Sequence, residues 1–279
     1  MNAEKTLFIT GVSSGFGLAL AKEALAQGYQ VIGTVRSESA LAAFAALSPE
    51  RAHGVILDVT QFDAIDAVIA EVEHRHGPVD VLVNNAGYGH EGIFEESSLA
   101  EMRRQFDVNV FGAVAVTKAF LPYFRQRRKG HILNITSMGG YITMPGIAYY
   151  CGSKFALEGI SDTLNKELAP FGILVTAVAP GSFRTDWAGR SMQRTPRSIS
   201  DYDASFDPVR KAREEKSGQQ LGDPQKAACA ILKAIASPNP PAHLLLGSDA
   251  LTLVRDKLRQ MLESIEQWEA LSCSTDGWG

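Results

Sequence analysis

Short apolar runs alternate with longer stretches of helical period along most of this chain. "TLFIT" (Thr6 to Thr10) has the run length and composition of a buried strand, and "FGLALAKEALAQG" (Phe16 to Gly28) that of a helix closed by Gly28. Further strands follow at "YQVIGTVR" (Tyr29 to Arg36) and "GVILDVT" (Gly54 to Thr60), and a helix covers Phe62 to Gly77. "VDVLVNNAG" (Val79 to Gly87) is a strand that runs into a polar turn, ahead of a long helix around Leu99 to Gln126. "HILNITS" (His131 to Ser137), a helix over about Tyr149 to Phe171, and "ILVTAVAPG" (Ile173 to Gly181) continue the alternation. Strands that are apolar on both faces and separated by helices predict a parallel sheet covered on both sides. The doubly wound α/β arrangement fits best, because right-handed crossovers leave few other topologies.

The alternation stops after Gly181. Residues 186–222 are polar, charged and weakly periodic, which reads as a long loop serving as a substrate lid. Order returns in a helix at Asp223 to Ala236, with Asp223 as its cap and Pro224 at its first position. "HLLLGS" (His243 to Ser248) is a seventh strand, and an amphipathic helix over about Leu251 to Leu271 precedes a polar tail. No repeat or low-complexity segment marks a second domain. The expectation is one domain over 1–279, with a core of 5–248, the lid at 186–222 and a C-terminal addition at 249–279.

Composition narrows the function classes. The chain is 45% hydrophobic and 21% charged, as soluble globular proteins are. A net charge of -4 gives no nucleic-acid footprint, and "RQRRKG" (Arg125 to Gly130) reads as a solvated basic helix end. The three cysteines, Cys151, Cys229 and Cys273, form neither a disulfide framework nor a zinc site, and no histidine spacing suggests a metal. No apolar run reaches the roughly 18 residues of a membrane span, and the N-terminus lacks a signal-peptide layout. A cytoplasmic location without membrane or nucleic-acid partners is expected.

Chemistry enters at the turn "TGVSSGFG" (Thr10 to Gly17) between the first strand and helix. Gly11, Gly15 and Gly17 allow a sharp turn and a close backbone approach to a pyrophosphate, and the helix N-terminus beyond offers free N–H groups. Later come "NNAG" (Asn84 to Gly87), Asn109 in "DVNVFG", Ser137 closing "NITS", Tyr150 and Lys154 in "YCGSK", and Pro180–Gly181. On these marks, in this order, the chain resembles the single-domain branch of the short-chain dehydrogenase/reductase family, with its T-G-x-x-x-G-x-G and Y-x-x-x-K motifs. The resemblance spans about Lys5 to Ser248. The helix beyond Ser248 departs from it, since many members end soon after the last strand.

The resemblance implies a nicotinamide cofactor held by Gly11, Ser13, Ser14, Gly15, Phe16 and Gly17 of the turn. It adds Asp58 and Val59 after the third strand, Asn85, Ala86 and Gly87 after the fourth, and Pro180, Gly181, Phe183 and Thr185 after the sixth. Arg36 follows Val35 where NAD-preferring relatives usually place an aspartate. A guanidinium suits the 2′-phosphate of NADP. Thr34 and Ser37 are candidates for further hydrogen bonds to it. NADP(H) is therefore expected over NAD(H), the alternative cofactor.

Hydride transfer to a ketone leaves negative charge on oxygen, so a proton donor is needed there. Tyrosine suits this only if its pKa falls, and a nearby ammonium would lower it. Lys154 is four residues after Tyr150 and five after Tyr149, and only the first spacing shares a helix face. The resemblance makes Tyr150 the acid/base and Ser137 the stabiliser of charge on the substrate oxygen. It has Lys154 bind the nicotinamide ribose and Asn109 support a water relay to Lys154. Tyr149 and Cys151 read as packing.

Tyr88, His90, Met138, Tyr141, Met144, Phe183 and Trp187 are candidate pocket walls, mostly apolar or aromatic. They suit a fairly apolar carbonyl or secondary alcohol better than a charged sugar acid. Two rival readings remain: an NAD(H)-dependent alcohol dehydrogenase of the same family, and a non-catalytic NADP-binding regulator on the same fold. The resemblance also implies a homodimer, through the two long helices, or a homotetramer.

Overall fold

The computed structural model describes residues 5–185, 187, 189 and 191–277; Asp186, the expected first residue of the lid, lies outside them. β1 (Thr6–Ile9) leads through the glycine turn into α1 (Gly15–Ala26). β2 (Gln30–Val35), α2 (Glu38–Ala45), β3 (Ala52–Ile56), α3 (Phe62–His76) and β4 (Val81–Asn84) follow, then a short β5 (Gly89–Glu91). α4 (Leu99–Phe106) and α5 (Ala113–Arg127) form one rod, joined by a π-helical turn at Asp107–Gly112. β6 (Gly130–Ile135), α6 (Ala148–Leu168) and β7 (Ile173–Pro180) complete the central repeats. Beyond them lie β8 (Met192–Arg194), α7 (Asp203–Glu215), α8 (Pro224–Ala236), β9 (His243–Leu246) and α9 (Ser248–Cys273).

Seven strands make one parallel sheet in the order β3-β2-β1-β4-β6-β7-β9. The chain builds outward from β1 in one direction, then restarts at β4 in the other, so the switch point lies between β1 and β4. Leu7 is level with both Val31 and Val81, and Phe8 with Ile32 and Leu82. This register brings the residues that follow the strands, Thr10, Arg36, Asn85, Ser137 and Gly181, out at one edge.

Alternation along the strands divides the core. Leu7, Ile9, Val31, Val83, Leu133 and Val178 pack with Leu20, Ala24, Ile231 and Ile235 of α1 and α8 on one face. Phe8, Ile32, Leu82, Ile132 and Val175 pack with Ile65, Ile69, Phe120 and Phe124 of α3 and α5 on the other. Every side chain of β1 and β4 is buried, which accounts for their unbroken apolar runs.

Two segments differ from expectation. α2 was not predicted: Ser37 caps it by accepting from the Ala40 N–H at 3.3 Å, and Phe44 is its buried anchor. Residues 186–222 are not a loop throughout. β8 pairs with β5, and α7 is a 13-residue helix. α7 buries only Phe206, which sits under Gly146, so its apolar stripe is too thin to set a clear period. No helix of the described residues is long and apolar enough to cross a membrane.

Candidate active site

The strand ends surround a cavity of about 1670 Å³. One lobe is the glycine turn. Gly11 (φ +73°) and Gly15 (φ +58°) take left-handed backbone that other residues rarely adopt. The Gly11 N–H donates to Thr34 Oγ1 at 2.9 Å, and Asn85 Nδ2 donates to the Thr10 and Gly11 carbonyls, each at 2.9 Å. Thr10 Oγ1 in turn accepts from the Asn85 and Ala86 N–H groups. A Cβ on Gly17 would run into the Gly11 carbonyl and the Asn85 amide, so Gly17 shapes the turn from behind and is not on the cavity wall.

Ser14 begins α1 in extended backbone without a side-chain cap, leaving first-turn N–H groups unclaimed by any side chain at the cavity edge. With Ser13, Gly15 and Phe16 beside them, this wall fits a diphosphate. Arg36 is exposed on the rim after β2, with Val35 and Leu57 near it. Thr34 and Ser37 have structural tasks: Thr34 holds the glycine turn and Ser37 caps α2. Asp58 Oδ1 accepts from the Thr60 N–H at 3.0 Å and its hydroxyl at 2.8 Å, which orients the Asp58–Val59 corner. Ala86, Gly87, Pro180, Gly181, Phe183 and Thr185 line the same lobe. The Phe183 ring meets Phe16 edge-on at 5.1 Å. Asp249, in the first turn of α9, accepts from the Ser182 N–H at 2.8 Å and fills the space beside Gly181.

Ser137, Tyr150 and Lys154 meet on the adjoining wall. Ser137 leaves β6 in extended backbone, and its Oγ accepts from the Gly139 N–H at 3.0 Å. Tyr150 is buried, with its ring 4.9 Å from that of Trp187. Burial pushes the phenol above its ordinary pKa, while the Ser137 hydroxyl acts in the opposite sense. The expected lowering by Lys154 is therefore not what the protein groups alone produce. Lys154 Nζ donates to the Ile135 carbonyl at 2.8 Å, and burial lowers the ammonium to about 8 against a raising effect of Glu158.

Tyr149 points away. Its hydroxyl donates to the Ser97 carbonyl at 2.7 Å, and its ring stacks on His90 at 5.0 Å. Cys151 is buried, and burial raises its thiol. Asn109 sits in the π-helical turn, and its direct side-chain hydrogen bonds go to Tyr88 and Ser153. Its Nδ2 donates to the Tyr88 carbonyl and Ser153 Oγ, each at 3.1 Å, and its Oδ1 accepts from the Tyr88 N–H at 3.1 Å. Ser153 Oγ then donates to the Tyr150 carbonyl at 2.7 Å, so Asn109 links the Gly87–Tyr88 strand end to the helix that carries Tyr150.

Of the expected pocket walls, Tyr88, His90, Met138, Met144, Phe183 and Trp187 line the cavity, and Tyr141 does not. Tyr141 lies behind the site: its hydroxyl donates to Glu158 at 2.8 Å and lies 2.7 Å from His243 Nδ1. His90 is fixed by Thr195. The Thr195 hydroxyl donates to Glu101 at 2.9 Å, so it accepts from His90 Nε2 at 3.0 Å, and burial keeps the imidazole low. Sequence reasoning missed the outer wall, where Val209, Ala212, Arg213, Arg194 and Leu253 stand. There the buried Glu91 carboxylate is clamped by Arg194 at 2.8 Å and by Arg213. The one hint in the sequence was an acidic residue inside the short run "GHEG".

A family model described as short chain dehydrogenase matches residues 5–195. Oxidoreductase BOA17 of Botryotinia fuckeliana is 37% identical, covering 97% of this chain and 99% of its own. A 3-ketodihydrosphingosine reductase of Bacteroides thetaiotaomicron is 36% identical over 86% of this chain and 87% of its own. The crystal structure of a short-chain dehydrogenase from Streptomyces avermitilis superposes with a TM-score of 0.92 at 41% identity, covering 99% of this chain and all of that one. More distant folds were solved with NAD, from Burkholderia phymatum (TM-score 0.78, 27% identity, 90% and 92% covered), and with NADP, in ElxO (TM-score 0.74, 26% identity, 89% and 99% covered). On the family match and on these identities, the chain belongs to the short-chain dehydrogenase family of oxidoreductases.

Proposed function

We propose that this chain interconverts a carbonyl and a secondary alcohol with NADP(H), on a fairly apolar substrate, with Tyr150 as general acid and base. The observation that carries the reading is the convergence of Ser137, Tyr150 and Lys154 on one cavity that also contains the glycine turn and Arg36. The cofactor, when bound, supplies or accepts the hydride. Ser13, Ser14, Gly15 and the first turn of α1 hold its diphosphate, Asp58 and Val59 border the adenine, and Arg36 meets the 2′-phosphate. Asn85, Ala86, Gly87, Pro180, Gly181 and Thr185 border the rest.

In the reductive direction the Ser137 hydroxyl donates to the substrate oxygen and stabilises charge as it develops. The Tyr150 phenol then gives that oxygen its proton. Burial by itself keeps the phenol protonated and makes it a weaker acid, so donation draws on the positive charge of Lys154 beside it. Lys154 keeps a positive charge beside the phenol and becomes available to the ribose hydroxyls. Asn109 acts as a positioning residue through Tyr88 and Ser153.

Met138, Met144, Ile147 and Trp187 give the substrate lobe its apolar character, which favours a hydrophobic ketone. The relative named for 3-ketodihydrosphingosine reduction supports a ketone as the reacting group. In this reading residues 5–248 form the catalytic core, 186–222 cover the substrate, and 249–279 are an addition that braces the Gly181 loop. The test is oxidation of NADPH and of NADH against a panel of hydrophobic ketones and small keto acids, with Tyr150→Phe as control. The expected result is NADPH-dependent reduction of hydrophobic ketones that Tyr150→Phe abolishes. Full activity in Tyr150→Phe refutes the mechanism, and a clear preference for small charged keto acids refutes the substrate class.

A further inference from the structure

α9 leaves the body of the protein after its first two turns. Ala250 and Val254 are buried, and from Arg255 to Cys273 every residue except the half-buried Lys257 is exposed. This free stretch is not polar. Leu251, Val254, Leu258, Met261, Ile265 and Trp268 repeat at alternating spacings of three and four, the 3.5-residue period of a supercoiled helix pair. Leu258 is 53% exposed, Ile265 63% and Trp268 56%, with Leu262 and Leu271 exposed at the flanks. A single helix with such a stripe gains little stability by itself in water.

Charge along the same helix selects the occupant. Arg255, Lys257 and Arg259 stand near the root, and Glu263, Glu266 and Glu269 stand toward the tip. Asp256 is already engaged by Arg259 at 3.3 Å. An anionic lipid surface would be repelled by the three glutamates. A parallel second copy would place like charges together. An antiparallel second copy would place the acidic tip of each helix on the basic root of the other.

We propose that α9 pairs antiparallel with α9 of a second copy of this chain, about an axis near Glu263. In that register Met261 packs on Ile265 of the second copy, Leu258 on Trp268, and Arg255 faces Glu269. Ser264 faces its own counterpart across the axis. Residues 254–272 overlap over about 28 Å at ~1.5 Å per residue. The pairing would also steady the root of α9, where Asp249 and Leu253 border the cavity. It is a separate contact from the α5 and α6 faces expected to pair chains in this family.

The test uses the full chain in sedimentation velocity over a range of concentrations. Leu258→Glu with Ile265→Glu should remove one association step, raising its dissociation constant more than about a hundredfold, with ketone reduction retained. Arg255→Glu and Glu269→Arg should each weaken association several-fold, and the two together should restore it. In a Cys229→Ser, Cys273→Ser background, Ser264→Cys should form a covalent dimer under mild oxidation and Ser272→Cys should not. The proposal is overturned by an unchanged mass in the double glutamate variant, by failure of the charge pair to restore association, or by equal cross-linking at both cysteines. It is equally overturned if α9 binds phosphatidylserine vesicles while the mass in solution does not depend on it.

Discussion

Lys154 Nζ lies 5.8 Å from the centroid of the Tyr150 ring and is anchored by the Ile135 carbonyl at 2.8 Å. The charge is thus held beside the phenol by the strand that also delivers Ser137. Burial disfavours that charge and lowers the ammonium to about 8. Lys154→Met should therefore separate activity from stability. Reduction should fall by about 10²-fold or more, the scale of general acid–base assistance. Thermal stability at pH 7 should not fall, because a desolvated charge is removed with the side chain. The sign follows from linkage: the unfolded lysine keeps its proton up to its ordinary value, so the parent gains stability as pH rises from about 8 toward that value, and Lys154→Met should lose this gain. Melting curves between pH 7 and 10 for both proteins give the comparison.

Arg36 decides the cofactor if it meets the 2′-phosphate. It is exposed on the cavity rim, and Val35 and Ser37 bring no carboxylate beside it. Arg36→Asp should lower kcat/KM for NADPH by roughly 10- to 100-fold, the scale of a lost charge-assisted hydrogen bond, and improve NADH. An unchanged NADPH-to-NADH ratio in steady-state kinetics would remove Arg36 from the binding site.

Gly181 and Asp249 couple the cavity loop to α9. A Cβ on Gly181 would collide with the Asp249 carboxylate, which holds the Ser182 N–H at 2.8 Å. Gly181→Ala should weaken NADPH binding about tenfold, and Asp249→Ala should do so less. Because the clash needs both groups, the double variant should bind better than Gly181→Ala alone. Fluorescence titration with NADPH measures all three, and strict additivity would show that the carboxylate is not the obstacle.

How much of this was legible in the sequence depended on the range of the signal. The strands and the "TGVSSGFG" turn rest on local run length, and the structure places them accordingly; the i,i+4 spacing to Lys154 singles out Tyr150, which is the tyrosine of the pair that lines the cavity. α2 is eight residues with one buried anchor, Phe44, too short for a period to show. α7 contains Pro208 and buries only Phe206, so its sequence reads as a charged loop. The place of Tyr141 after a strand reads as a pocket wall, but its partner His243 lies 102 residues on. The clamp of Glu91 by Arg194 and Arg213 likewise joins residues 103 and 122 apart, and no local pattern announces such pairs.

His131 should make stability depend on pH in mildly acidic solution, far from the cavity. It is the second residue of β6, and its Nε2 lies 2.9 Å from Thr176 Oγ1. The Thr176 hydroxyl donates to the Pro241 carbonyl at 2.8 Å, so its oxygen accepts from Nε2–H, a bond that either charge state of the ring can make. Burial, with the Lys5 charge nearby, lowers this histidine to about 4. The unfolded chain takes up the proton from its ordinary value of about 6.5 downward, while the folded protein resists until about 4. Stability is therefore intact above that ordinary value and is lost as pH falls toward 4, by roughly 3 kcal/mol at full extent. His90 and His76 are shifted in the same direction, so the difference between variants carries the test. His131→Asn keeps a donor for Thr176 and cannot take up a proton. Its urea midpoint should be lower than the parent's at pH 7 and should fall less steeply between pH 6.5 and 4. Glu101, held at about 2, contributes in the adjoining window below its usual carboxylate range and leaves this comparison clear. Parallel midpoint curves for the two proteins would mean that His131 is not buried neutral.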